Sequence, residues 1–220
     1  LCTVTARCAV KSNCIGLFGG SFDPPHLGHL ALLQAALDEL PLDELWVVPA
    51  GVPVHRTLTT RIAPELRLGW LAALLAGMAK VRLIDWEVRR EMATPTIHTL
   101  RRLHGERPEA AIVLILGADA AAGLPGWIDY PEHRKLCHLA LAMRSGQEAE
   151  SLPGWRQLAT AQELATGAGG IWRLQSRLPD ISATTIRRTI ERGEEARPML
   201  PPLLAEELIC AYRAPQEQNE

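Results

Sequence analysis

At 220 residues, with 47% hydrophobic and 22% charged residues, the chain is long enough to bury a sizeable core and too apolar for disorder. A formal net charge of -2 excludes a global electrostatic drive toward nucleic acid or anionic lipid, so any phosphate has to be bound locally. Five cysteines without a C-x-x-C pair argue against a disulfide framework or a zinc site, and no apolar run reaches the ~18 residues a membrane helix needs.

In chain order, residues 1–14, "LCTVTARCAVKSNC", have neither a long apolar stretch nor a clean basic start and read as a loose extension rather than a secretory signal. Reduced thiols then predict a cytoplasmic protein. Apolar runs of strand length follow at 15–18, 45–48, 81–84, 111–116, 139–143 and 171–174. Several are apolar throughout, as strands covered on both faces are. Helical periodicity occupies 30–40, 64–76, 96–104 and 130–136, then 184–192 and 203–212. This alternation predicts an α/β protein: a single doubly wound Rossmann-like domain over 15–213, with a mostly parallel sheet, helices on both faces and a short tail at 214–220. Residues 145–154, "SGQEAESLPG", read as a surface loop, and Cys137 and Cys210 as buried packing residues.

The richest stretch follows the first strand. In "GGSFDPPHLGH", Gly19 and Gly20 allow close approach to the backbone, and Pro24 and Pro25 delay the helix until the chain has turned. The helix N-terminus beyond them offers free amides and a positive dipole end. His26 and His29 are three apart with Gly28 between them, so a helical turn puts both imidazoles on one face, able to grip a polyphosphate. Beside phosphate an imidazole becomes more basic and donates charged hydrogen bonds.

A second cluster, "DISATTIRR", lies far along the chain. Ser182 or Thr184 is placed to cap the next helix, and Arg187 follows in its first turns with a fork of permanently charged donors. Alone it reads as a capped surface helix; together with the first cluster it predicts a second wall of one phosphate site.

"GGSFDPPHLGH" resembles the signature of the HxGH nucleotidyltransferase superfamily, with Ser21 where many relatives have threonine, and "ISATTIR" resembles the element that completes the triphosphate site there. With "VVPAGVPVHR" at 47–56, "TPTIHTL" at 94–100 and "GADAAAGLPGW" at 117–127, the chain from about Ile15 to Tyr212 resembles the bacterial nicotinate-nucleotide adenylyltransferase family. The resemblance implies transfer of the adenylyl group of ATP to nicotinate mononucleotide in NAD biosynthesis, giving deamido-NAD and pyrophosphate. It implies His26, His29 and Arg187 as catalytic residues. An ATP site would comprise Gly19, Gly20, Ser21, Phe22, His26, Gly28, His29, Gly117, Asp119, Ile181, Ser182, Thr184 and Arg187. A pyridine-nucleotide site would comprise Ser21, His55, Arg56, Thr96, Trp127 and Arg144, with Arg56 and Arg144 either meeting the incoming phosphate or standing as solvated surface charges.

Val54 replaces a proline common in the family, and Ile128 stands where some relatives carry tyrosine, which removes one stacking partner for the ring. Neither a G-x-S-x-G elbow nor an H-E-x-x-H motif is present, consistent with catalysis by positioning and charge stabilisation. Mg2+ is expected to arrive on the ATP oxygens, with no dedicated metal ligands in the chain. The expected partners are the two small-molecule substrates, without nucleic acid or membrane, and a homo-oligomer stays open. Pantetheine-phosphate adenylyltransferases are shorter and usually carry threonine at the place of His26. Class I aminoacyl-tRNA synthetases need further domains, and a nucleotide sensor would be expected to lose one of the three catalytic side chains.

Overall fold

The computed structural model describes residues 13–52, 62–90, 92–142 and 152–214. Its strands are β1 (Cys14–Gly20), β2 (Glu44–Pro49), β3 (Val81–Leu83), β4 (Ala111–Gly117), β5 (His138–Ala142), β6 (Arg156–Gln157) and β7 (Gly170–Arg173). They form one sheet in the order β3-β2-β1-β4-β5-β7-β6, and every pairing is parallel, so the sheet is wholly rather than mostly parallel among the described residues. The chain winds outward from β1 to β3, then returns to the other side of β1 and continues through β4. The crevice at the carboxyl ends of β1 and β4 is therefore the switch point where such sheets bind ligands.

Alternation along the strands divides the core. On one face Phe18, Val113, Ile115, Ala140 and Ala142 meet Leu32, Leu33 and Ala36 of α1 (Leu27–Glu39) and Leu71 and Leu75 of α2 (Pro64–Leu75). On the other face Ile15, Leu17, Ile112, Leu114, Leu116, Leu139 and Leu141 meet Leu100 and Leu103 of α3 (Thr96–Glu106) and Ala121 of α4 (Ala118–Gly123), with Leu136 of α5 (Tyr130–Leu136) against them. A slip of one residue in β4 would exchange these two sets, and because both faces are covered the cost would be mismatched packing rather than lost burial. A third cluster joins Trp70 of α2 to Ile186 and Ile190 of α6 (Ala183–Glu191) and Leu208, Ile209 and Tyr212 of α7 (Ala205–Arg213).

Local chemistry sets the helix ends. Pro64 opens α2, where its missing N–H is no loss, and Gly77, at φ 83°, follows its end in the left-handed region that glycine adopts freely. Two elements escape the periodicity reading. Helix α4 is a six-residue "ADAAAG" turn without an apolar stripe, and β6 is a two-residue edge strand whose residues are exposed.

Two expectations need correction. Cys14 belongs to β1 and is fully buried, with its backbone N–H bonded to Asp43 at 2.8 Å, so the domain begins before residue 15. Cys137 is buried as expected, but Cys210 faces outward on α7. Residues 145–151 of the expected loop and 215–220 of the expected tail lie outside the described residues; Leu152 is buried.

Candidate active site

Strand β1 delivers Gly19 and Gly20 to the crevice, and the chain then folds back through Ser21 to Pro25. Phe22 takes a φ of 49°, a conformation costly for a non-glycine residue, while its ring is buried between Phe18, with centroids 5.4 Å apart, and His29, at 4.8 Å. Phe22 was assigned to ATP contact; its side chain lies in the core, so only its backbone is placed to serve a ligand. His26 is the N-cap residue of α1, and its backbone N–H donates to His29 Nδ1 at 3.2 Å. That bond leaves the proton of the neutral His29 ring on Nε2. The two imidazoles stack with centroids 3.6 Å apart.

At the other end of the chain, Ser182 caps α6, its hydroxyl accepting from the Thr185 N–H at 3.1 Å. Of the two expected caps, Ser182 is therefore the one used. Arg187, three residues after Thr184, donates from Nη2 to the Thr184 hydroxyl at 3.2 Å and from Nη1 to the backbone carbonyl of Asp23 at 2.5 Å. The two motifs thus meet across 164 residues of sequence. Contact is close at Gly28 too, where a Cβ would lie 3.0 Å from the His26 ring and 3.2 Å from the Ile181 carbonyl oxygen.

Between these walls lies a chamber of about 280 Å3 lined by His26, Gly28, His29, Gly117, Asp119 and Ile181, together with Ser182. A second chamber, about 340 Å3, is lined by Gly20, Ser21, Glu87, Thr96, Thr99 and Trp127. Gly19, Leu116 and Ala120 line both, so the two adjoin at the ends of β1 and β4. Of the residues expected at ATP, Gly19, His26, Gly28, His29, Gly117, Asp119, Ile181 and Ser182 line the first chamber, Gly20 and Ser21 line the second instead, and Phe22, Thr184 and Arg187 line neither; Thr96 and Trp127, expected at the pyridine nucleotide, line the second. His55, Arg56 and Arg144 lie outside the described residues.

Burial depresses the His26 pKa to about 4, and burial with His26 alongside holds His29 well below its ordinary value. Without a ligand both rings are neutral; a polyanion would reverse that shift. In the second chamber burial raises Glu87 to about 7, against the Thr99 hydroxyl, which donates to it at 2.6 Å, and the charge of Arg90. Among the described residues no three His, Cys, Asp or Glu side chains cluster as a metal cage.

Four side chains that build the site were not singled out from the sequence: Asp23, Arg67, Glu87 and Tyr212. Arg67 has no exposed surface and binds three carbonyls, those of Ser21, Ile62 at 3.2 Å and Gly51 at 3.0 Å. It ties the underside of the glycine loop to the loop after β2. A signal was present, since Arg67 shares the buried stripe of α2 with Trp70, Leu71 and Leu75, where a charge requires partners.

The cytidylyltransferase-like family pattern matches residues 17–189. A protein of Laribacter hongkongensis named "Probable nicotinate-nucleotide adenylyltransferase" is 40% identical over 196 residues, spanning 86% of this chain and 88% of its own. One of the same name from Dechloromonas aromatica is 37% identical over 201 residues, covering 86% and 92%. Among solved structures, the Plasmodium falciparum nicotinic acid mononucleotide adenylyltransferase complexed with NaAD has the same fold, with a TM-score of 0.70 at 17% identity over 91% of this chain and 96% of its own. The chain belongs to the cytidylyltransferase-like nucleotidyltransferases. Within that class it is a member of the nicotinate-nucleotide adenylyltransferase family. Among the described residues no helix is long and apolar enough to cross a membrane.

Proposed function

We propose that the chain joins nicotinate mononucleotide to ATP, giving deamido-NAD and pyrophosphate by direct in-line attack without a covalent intermediate. The observation that carries this reading is the convergence of His26 and His29 with the Ile181–Ser182 segment on one chamber, which shares Gly19 with an adjoining chamber lined by Trp127. A triphosphate in the first chamber would face the imidazoles and the first turn of α6, while a pyridine nucleotide in the second would bring its phosphate to the shared wall.

A phosphate oxygen of the mononucleotide attacks the α-phosphorus; a new P–O bond forms as the bond to the β-phosphate oxygen breaks, and the electron pair leaves on pyrophosphate. The attacking phosphate is largely ionised at neutral pH, its second pKa being about 6, so no protein base is required. The histidines, protonated once they face the polyanion, and Arg187 stabilise charge that grows on the leaving group. The indole of Trp127 supplies a stacking face for the electron-poor ring.

The donor set fits a Mg2+ held by ATP oxygens, with Asp119 the carboxylate lining that chamber. Such an ion would supply positive charge to the phosphate oxygens. A cytoplasmic setting suits ATP as substrate and the free thiols of Cys14, Cys137 and Cys210.

The test is pyrophosphate release from ATP and Mg2+ with nicotinate mononucleotide, nicotinamide mononucleotide or phosphopantetheine in parallel. The highest kcat/KM is expected with nicotinate mononucleotide. Retained ATP binding without release for any acceptor would make the protein a sensor instead.

A further inference from the structure

We propose that Asp23 and Tyr212 form a positioning pair that holds Arg187 against the loop before His26, ready to meet a triphosphate, and makes helix α7 part of the active site. The proposal rests on the adenylyl-transfer reading above. The Asp23 side chain is almost fully buried, at 4% exposure, and a carboxylate so placed has to be compensated by specific partners. Its Oδ1 accepts a hydrogen bond from the Tyr212 phenol, which comes from 189 residues further along the chain. Its Oδ2 lies 3.9 Å from Arg187 Nη1, the same nitrogen that donates to the Asp23 backbone carbonyl at 2.5 Å. Asp23 therefore approaches Arg187 with main chain and side chain together.

Tyr212 is held in turn by the apolar cluster of α6 and α7, with its ring 6.5 Å from that of Trp70. Burial, and then the bond to Asp23, push its phenol well above the usual range, so it remains a neutral donor throughout the physiological range. An arginine side chain has many rotamers to lose. Fixing its stem and head before ATP arrives removes that cost from the binding step and preorganises the charge. Asp23 sits in the loop that precedes His26, so the same pair keeps the two walls of the chamber in register.

Tyr212→Phe keeps the ring in its cluster and deletes one donor. The expected result is a fall of about tenfold in kcat/KM for ATP, with the KM for nicotinate mononucleotide within about twofold of the parent. Asp23→Asn should act in the same direction. Because the pair works through Arg187, Tyr212→Phe combined with Arg187→Lys should lose no more than about twofold beyond Arg187→Lys alone. Multiplied losses in that cycle, or a lower Tm with unchanged kinetic constants, would overturn the proposal. Calorimetric affinity for β,γ-methylene ATP needs no acceptor. Weaker binding by Tyr212→Phe than by the parent supports the pair even if the acceptor proves to be another nucleotide. Equal affinity with equal turnover refutes the pair while leaving the adenylyl-transfer reading intact. Should Asp23→Asn not fold, Tyr212→Phe, which lacks a single oxygen, still decides.

Discussion

The two chambers share part of their lining and differ in their walls. Beyond the ends of β1 and β4, the first is walled by two helix starts and the segments before them, with His26, Gly28 and His29 on one side and Leu178, Pro179 and Ile181 to Ala183 on the other. The second is walled by short pieces from five places: Gly20 and Ser21 after β1, Ala50 after β2, Glu87 after β3, Thr94 to Thr96 with Thr99 at the start of α3, and Gly126 to Ile128 after α4. They also differ in charge response. Burial leaves the first with imidazoles that resist protonation until an anion arrives, and the second with a carboxyl that resists ionisation. A polyanion site assembled from helix N-termini needs few residues, because backbone amides and dipoles do much of the binding. A pocket that discriminates among flat rings needs shaped walls, and these come from many elements.

The largest effect that would test this contrast is at His29. His29→Asn keeps an acceptor for the His26 N–H but removes the Nε2 donor, so kcat should fall by about 10^2 to 10^3 with the Tm nearly unchanged. Steady-state kinetics beside a thermal melt check both halves, and equal losses in kcat and stability would show that His29 serves packing instead. Trp127→Ala should raise the KM for the pyridine nucleotide by about 30-fold while the KM for ATP moves less than about twofold. If both rise together, the chambers are not separate in function.

Gly51→Ala probes the seam beneath the second chamber. Its Cβ would lie 2.2 Å from the Glu87 carbonyl oxygen, a backbone atom that cannot swing aside. A stability loss of about 2 to 3 kcal/mol is expected in chemical denaturation, larger than for Gly16→Ala, whose Cβ meets only the ends of Leu and Ile side chains. The smallest effect concerns Glu87 itself. Burial holds its folded pKa at about 7, above the ordinary carboxyl value, so the folded state binds a proton more tightly and loses stability as pH rises through that window. Glu87→Gln removes the penalty and still accepts from Thr99. Thermal melts should show little difference near pH 5 and a gain of roughly 3 °C at pH 8. A constant gain at both pH values would mean that the carboxyl does not titrate there.

Much of the fold was legible because its signals are local. Val113 and Ile115 alternate with Ile112 and Leu114 in a run apolar throughout, which marks a strand covered on both faces, and the helices between such runs force parallel pairing. Helix α4 and strand β6 were not legible, since six small residues and two exposed ones carry no period. The two motifs around His26 and Ser182 were readable because glycine, proline, histidine and a serine cap each act within a few residues. Asp23 carries no such local sign, because its partners are a phenol and an arginine brought near only by folding, and nothing in the sequence tells that the Phe22 ring turns inward.

Sequence alone thus determined which charged and polar groups are available and roughly where the longer helices lie, because backbone preference, capping and side-chain charge are properties of short segments. Tertiary structure alone decided that Arg187 reaches Asp23, that Tyr212 anchors it, and that one cleft divides into two chambers at Gly19. Those outcomes depend on how a parallel sheet reverses its strand order between β1 and β4, which brings together residues that no local rule relates.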